Sequence, residues 1–123
     1  MGILPFSEVR SVHTEDIKNV ICSGKLDGYF RREYGKEASE AQKSRYLKAL
    51  DTFSSIYGGD REVSVFSVGG RSEISGNHTD HNRGRVVAAA VSLDIIAVAS
   101  VRDDDTVRIK SEGFPEDAVD LGQ

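Results

Sequence analysis

The sequence predicts an α+β fold in which N-terminal helices pack on a mixed, mainly antiparallel sheet of four or five strands. Three observations predict it. Between Glu37 and Tyr57 the apolar residues Ala41, Tyr46, Leu47, Leu50, Phe53 and Ile56 fall along one broad helical stripe. From Glu62 the period shortens toward two, and β-branched and small apolar residues dominate long runs up to Val101. Gly58-Gly59 marks the change between the two regimes. The chain therefore divides into a helical region, residues 1–57, and a sheet region, residues 58–123, with both expected to share one core.

The elements follow in order. Thr14-Glu15-Asp16-Ile17 reads as a helix start with Thr14 as the cap and Ile17, Val20 and Ile21 as the apolar face. Cys22 ends that face and reads as a small buried hydrophobe. After Gly24, the residues Leu26, Tyr29, Phe30 and Tyr34 again recur at helical spacing, and Gly35 closes the segment. Ser39 is the expected cap of the long third helix. Glu62–Val68 alternates with apolar groups on both faces, which predicts a strand covered on each side. Arg71–Ser75 reads as a second short strand and 76–84 as a loop. Val86–Val91 is small and apolar, suited to a strand or to packing under a helix. Leu93–Val101 is a strand, and Val107–Lys110 is expected to pair back on it through an acidic turn. Beyond Gly113 the sequence reads as an acidic, turn-prone tail leading toward another strand.

Length and charge narrow the function classes. A chain of 123 residues is enough for one domain with a real core. Its net charge of -4 argues against a general nucleic-acid surface, which needs a basic patch. A single cysteine rules out an internal disulfide framework and a cysteine-rich metal site. No leader pattern and no apolar run of membrane-spanning length is seen, so the expectation is a cytoplasmic protein without membrane contact.

The densest chemistry lies in 69–90, GGRSEISGNHTDHNRGRVVAAA, where Asn77, His78, Thr79, Asp80, His81 and Asn82 crowd one turn-rich stretch. An ionised Asp80 can accept from two neighbouring hydroxyls at once, the pattern a sugar offers. Its bland alternative is an Asx-type bond to its own backbone. Arg71 is a permanent cation suited to a developing negative charge, with an ion pair to Glu73 or Asp80 as its alternative. His78 can equally freeze the turn by bonding backbone groups. A zinc reading of His78, Asp80 and His81 lacks a closed ligand set. A hydrolase reading built on Ser75, His78 and Asp80 lacks a nucleophile elbow. Arg83 and Arg85 could meet a phosphate, but such residues are more often solvated or paired, and neither is given a role.

The ordered run GRSEISGNHTDHNRGRVVAAA resembles the signature of galactokinases, in the GHMP family of small-molecule kinases. The usual form is Pro-Gly-Arg, a short strand, Gly-Glu-His-Thr-Asp-Tyr-Asn, one variable residue, Gly, then an apolar run. The resemblance covers the chain from about Tyr46 onward; residues 1–45 carry no matching motif. It implies the first part of a GHMP kinase N-terminal domain, of the ribosomal protein S5 domain 2-like fold. It places Arg71 beside the reacting sugar hydroxyl, Asn77, His78 and Asp80 along the sugar, and Gly70, Gly76 and Gly84 at the turns. Three residues depart from the pattern. Gly69 stands for the proline, His81 for the tyrosine, and Asn77 for the glutamate that holds the sugar.

The resemblance further implies an ATP-dependent kinase, with magnesium, acting on galactose or a related sugar. The family's phosphate loop and its base aspartate are missing from these residues. The chain therefore reads as an N-terminal piece of a longer enzyme, inactive alone, with no cofactor or metal held by it and a tendency to self-associate. Two alternatives stand beside it: a non-catalytic sugar-binding or regulatory relative, and a stand-alone structural or interaction domain.

Overall fold

A computed structural model describes residues 11–76 and 83–122. The order is β1 (Val12–His13), α1 (Thr14–Cys22), α2 (Asp27–Tyr34), α3 (Ser39–Tyr57), β2 (Glu62–Ser75), β3 (Val87–Ala99), β4 (Thr106–Lys110) and β5 (Glu116–Asp120). The fold is α+β, with three helices on one face of an antiparallel sheet.

The helical periodicity of the sequence becomes the core. Ile21, Phe30, Tyr46, Leu50, Phe53 and Val63 are buried, so helices and sheet share one apolar cluster. Phe30 stands edge-on to Tyr46, with ring centroids 5.2 Å apart, and stacks on Tyr34 at 6.2 Å. Such pairs add specific geometry to area burial. The stripe of α3 is narrower than its sequence suggests. Ala41 and Ile56 are exposed, whereas Ser39, Phe53 and Tyr57 near the same ends are buried or packed on the core. Cys22 is also exposed, correcting its expected burial.

Neither expected cap holds. Thr14 is the first residue of α1 and is fully buried. Its hydroxyl donates to Asp60 Oδ1 at 3.0 Å and accepts from the Arg61 N–H at 3.1 Å. The Asp60 carboxylate in turn accepts the Glu15 N–H at 3.2 Å, so the cap of α1 comes from the connection between α3 and β2. That hydrogen bond, above all, holds the Asp60 pKa below its ordinary value. Ser39 begins α3 and donates its hydroxyl to the Lys36 carbonyl at 3.0 Å. At the other end Gly58, at φ 88, returns its N–H to the Ser54 carbonyl at 3.0 Å, a backbone conformation that glycine adopts without a Cβ penalty.

The sheet departs from expectation in three ways. First, the two predicted short strands, 62–68 and 71–75, are one long strand, β2, and 86–91 joins 93–101 as β3. The order is β1-β2-β3, with β1 paired to β2 only at Val12↔Val63 and His13↔Glu62. Second, Val107–Lys110 does not pair back on β3. It pairs with β5, which lies inside the acidic tail, as a separate two-stranded sheet with Val107 opposite Val119. The hairpin is tied to α3 by an ion pair of Lys48 with Glu112 at 2.6 Å.

Third, β2 is covered on one face only. Partners in an antiparallel ladder share a face. Val65↔Val98 and Ser67↔Ile96 face the helices, whereas Phe66↔Ala97 and Val68↔Ile95 face away. On that outer face Val68 is 66 % exposed and Ile95 76 %. Beyond Gly69 on β2 and before Asp94 on β3 no residue is buried, and the two strands run on as a bare ribbon.

Candidate functional site

That ribbon carries the motif. β2 and β3 pair antiparallel as far as Ser75↔Val87, and in the sequence the polar cluster falls between these two strands. Arg71 sits on β2 opposite Ala90, just past a register break between Gly69 and Arg71. It is exposed and, among the described residues, holds no ion pair. Asn77, His78, Asp80 and His81 lie outside the described residues.

The glycines frame the loop. A Cβ on Gly70 would come 3.0 Å from Val91 Cγ2 and 3.2 Å from the Leu93 carbonyl oxygen, so the register break packs tightly there. Gly76 is more constrained. Its φ is 128, and a Cβ would lie 2.6 Å from Val86 Cα and 2.8 Å from the Arg85 carbonyl oxygen. Only glycine fits that approach without displacing backbone. On the return side Arg83, beside Gly84, takes the left-handed conformation at φ 61, which is uncommon for a residue with a side chain.

A polar cluster that the sequence reading did not single out lies at the root of the ribbon. Asp94, opposite Gly69, turns toward the helices with only 12 % of its side chain exposed. Its Oδ2 accepts the Tyr34 hydroxyl and the Ser67 hydroxyl, each at 2.6 Å. Its Oδ1 accepts Arg45 Nη1 at 2.6 Å, and Arg45 Nη2 reaches the Asp94 carbonyl oxygen at 2.8 Å. The Tyr34 and Tyr46 hydroxyls share a further bond at 2.7 Å. Burial works against the charge, but the bonds from Ser67, Tyr34 and Arg45 outweigh it and bring the Asp94 pKa down to about 2. Burial, with the Asp94 bond, raises the Tyr34 pKa. The sequence did hold a signal, one carboxylate inside Leu93-Asp94-Ile95-Ile96. A charge in an apolar strand needs partners wherever it is buried.

Two further features bear on chemistry. A cleft of about 350 Å³, lined by His13, Asp60, Glu62 and Val101 among others, opens at the start of β2, the opposite end from Arg71. His13 Nδ1 lies 3.1 Å from Asp60 Oδ2 there. Among the described residues no three His, Cys, Asp or Glu side chains converge as a metal set, and no helix is long and apolar enough to cross a membrane.

Comparison with known proteins points to the same strands. A family model described as the galactokinase galactose-binding signature matches residues 51–101, from the last turns of α3 through β3. The galactokinase of Lactococcus lactis subsp. lactis (strain IL1403) is 36 % identical over 76 residues, which is 61 % of this chain and 19 % of that protein. That of Candida parapsilosis is 34 % identical over 87 residues, 68 % of this chain and 17 % of its own length. That of Streptococcus mutans serotype c is 39 % identical over 64 residues, 52 % of this chain and 16 % of its own. The matched stretch is thus under a fifth of each relative. No solved structure matches the chain. The motif between β2 and β3 in the sequence, the signature match across both strands and the shared sequence with these enzymes agree, and over these residues the chain is similar to galactokinases and carries their galactose-binding signature.

Proposed function

We propose that this chain forms one wall of the sugar site in a galactokinase-like enzyme, which transfers the γ-phosphoryl of ATP to the anomeric hydroxyl of galactose or a close relative. The observation that carries the reading is the contiguous run Gly70-Arg71 to Gly84, matched as a galactose-binding signature. In this reading the α+β arrangement is the first part of a GHMP N-terminal domain of the ribosomal protein S5 domain 2-like fold. Arg71, exposed and without an ion pair among the described residues, is available to an anionic group. Asp80 accepts from adjacent sugar hydroxyls, while His78 orders the loop and lines the sugar. Asn77 supplies a neutral amide where the family pattern has a carboxylate, and so gives up a charge-assisted bond about twice as strong as a neutral one. Sugar preference is therefore shifted or broadened.

ATP with Mg2+ supplies the transferable phosphoryl group. In this reading the chain contributes contacts to the sugar, while the triphosphate cradle and the metal are supplied from outside it, so that the chain by itself is inactive.

The test is turnover by the full-length gene product on galactose, its amino and N-acetyl forms and glucose, repeated with Asn77→Glu. Asn77→Glu is expected to narrow the range toward galactose. The same profile in both proteins removes Asn77 from specificity. Sugar binding without ADP release identifies a non-catalytic relative, and neither binding nor turnover leaves a structural or interaction domain.

A further inference from the structure

The ribbon that holds the motif leaves the helical layer at one place, and that place is chemically built. On the helix side of it β2 and β3 pair in regular register from Ser64↔Ala99 to Gly69↔Asp94. On the far side the register breaks, Arg71 falls opposite Ala90, and every described residue from Arg71 to Ser75 and from Arg83 to Leu93 is exposed. Asp94 occupies the boundary. It is bonded at once to α2 through Tyr34, to α3 through Arg45 and to β2 through Ser67.

From this geometry we infer that Asp94 is a positioning residue for the sugar site. Its three-way bond fixes where the register break falls and in which direction the ribbon leaves the helices, and so where Arg71 is held. The inference deepens the proposed function and rests on it for the identity of the ligand. Two features make Asp94 suited to this. Its carboxylate is the last helix-bound group before the break. It also joins three elements, so losing it frees the ribbon from all of them together. A Ser67-to-Asp94 bond alone would set register between strands without setting their angle to the helices. The bonds to Tyr34 and Arg45 add that angle. Tight packing at Gly70 against Val91 and Leu93 then passes the fixed position across the break. Displacement of a positioned group by about 1 Å can cost on the order of a hundredfold in rate, so a site at the end of an unsupported ribbon depends on its root.

The experiment compares Asp94→Ala, Asp94→Asn, Ser67→Ala and Tyr34→Phe with the wild type in the full-length gene product. KM for galactose and for ATP, kcat, and backbone amide exchange across 69–75 are measured well below each melting temperature. Asp94→Ala is expected to raise the galactose KM about tenfold, leave the ATP KM within about twofold, and speed exchange in 69–75 but not in α1. Asp94→Asn keeps an acceptor for Tyr34 and Ser67 and recovers part of the loss. If Asp94→Ala does not fold, Ser67→Ala and Tyr34→Phe, each removing one bond, are expected to raise the galactose KM by roughly twofold to fivefold. A lowered melting temperature with both KM values and the exchange pattern unchanged overturns the inference. If the wild type neither binds nor phosphorylates galactose, the functional reading fails. Amide exchange in 69–75 then still decides whether Asp94 holds the ribbon.

Discussion

Asp94 is charged, largely enclosed and held by three donors, so its protonation is linked to folding. Its pKa falls from 3.8 to about 2 on folding. A lowered carboxyl pKa adds stability above the unfolded value and loses it as pH falls through the folded one, here between about pH 4 and pH 2. The difference corresponds to about 2 kcal/mol. Urea unfolding at pH 5 and at pH 2.5 is expected to show this loss in the wild type and most of it missing in Asp94→Asn. An equal acid loss in both proteins would assign it to other carboxylates. Gly76 makes the second residue-scale prediction. Gly76→Ala places a methyl 2.6 Å from Val86 and forces a strained φ, and should cost about 1–3 kcal/mol. Gly76→Ala as stable as wild type, by thermal melting, would mean the loop reopens at no cost. These two residues differ in how far the sequence revealed them. Gly76 was legible because its motif demands a turn there. Asp94 was not, because nothing local says that a tyrosine 60 residues away and an arginine 49 residues away will meet it.

Among elements, helices were the most legible, since their periodicity acts on near neighbours. Phe30, Leu50 and Phe53 took the buried places their spacing predicted. The ends of the α3 stripe failed because periodicity does not say which positions of a broad face the neighbouring elements cover. Leu50 is wholly enclosed and Ile56 is 39 % exposed. Leu50→Ala is expected to cost about 2–5 kcal/mol, and Ile56→Ala less than about 1 kcal/mol, read from denaturant midpoints at constant slope. Comparable losses would restore Ile56 to the core. Strands were recognised as strands, but their continuity and partners were not. Gly69-Gly70 looked like a break, yet a register shift carries the strand across it. The pairing of Val107–Lys110 went to β5 because pairing choice is non-local, and the acidic tail hid a strand of alternating Glu116, Ala118 and Asp120 against Asp117 and Val119.

At the scale of the whole molecule, one sheet face is packed and the other is bare, with Val68, Leu93 and Ile95 each more than 60 % exposed. Among the described residues β3 also has an unpaired edge, and that strand carries one charge in 13 residues. Edges and apolar faces of this kind pair with other copies. The 123-residue chain alone is therefore expected to self-associate as concentration rises. Sedimentation velocity over a hundredfold concentration range should show a rising weight-average coefficient; an unchanging monomer would refute it. The expectation of a strand covered on both sides came from the same apolar residues, and the sequence pattern was read correctly as apolar without revealing that these residues leave one face open.

The clasp between Thr14 and the Asp60-Arg61 corner has a consequence for how this architecture tolerates change. Entry to the helical layer and exit from it lie one hydrogen bond apart, with Val12 paired to Val63 beside them. The three helices thus hang from the sheet as a closed bight of chain. Residues could be added or removed between the helices without altering the distance between its two ends, so length variation there would leave β2 and β3 where they are. A loop doubled in length costs only about 0.6 kcal/mol in closure entropy. Only the connections between the helices are in this sense free in length; α2 and α3 themselves, which carry Tyr34 and Arg45, keep the grip on the hairpin.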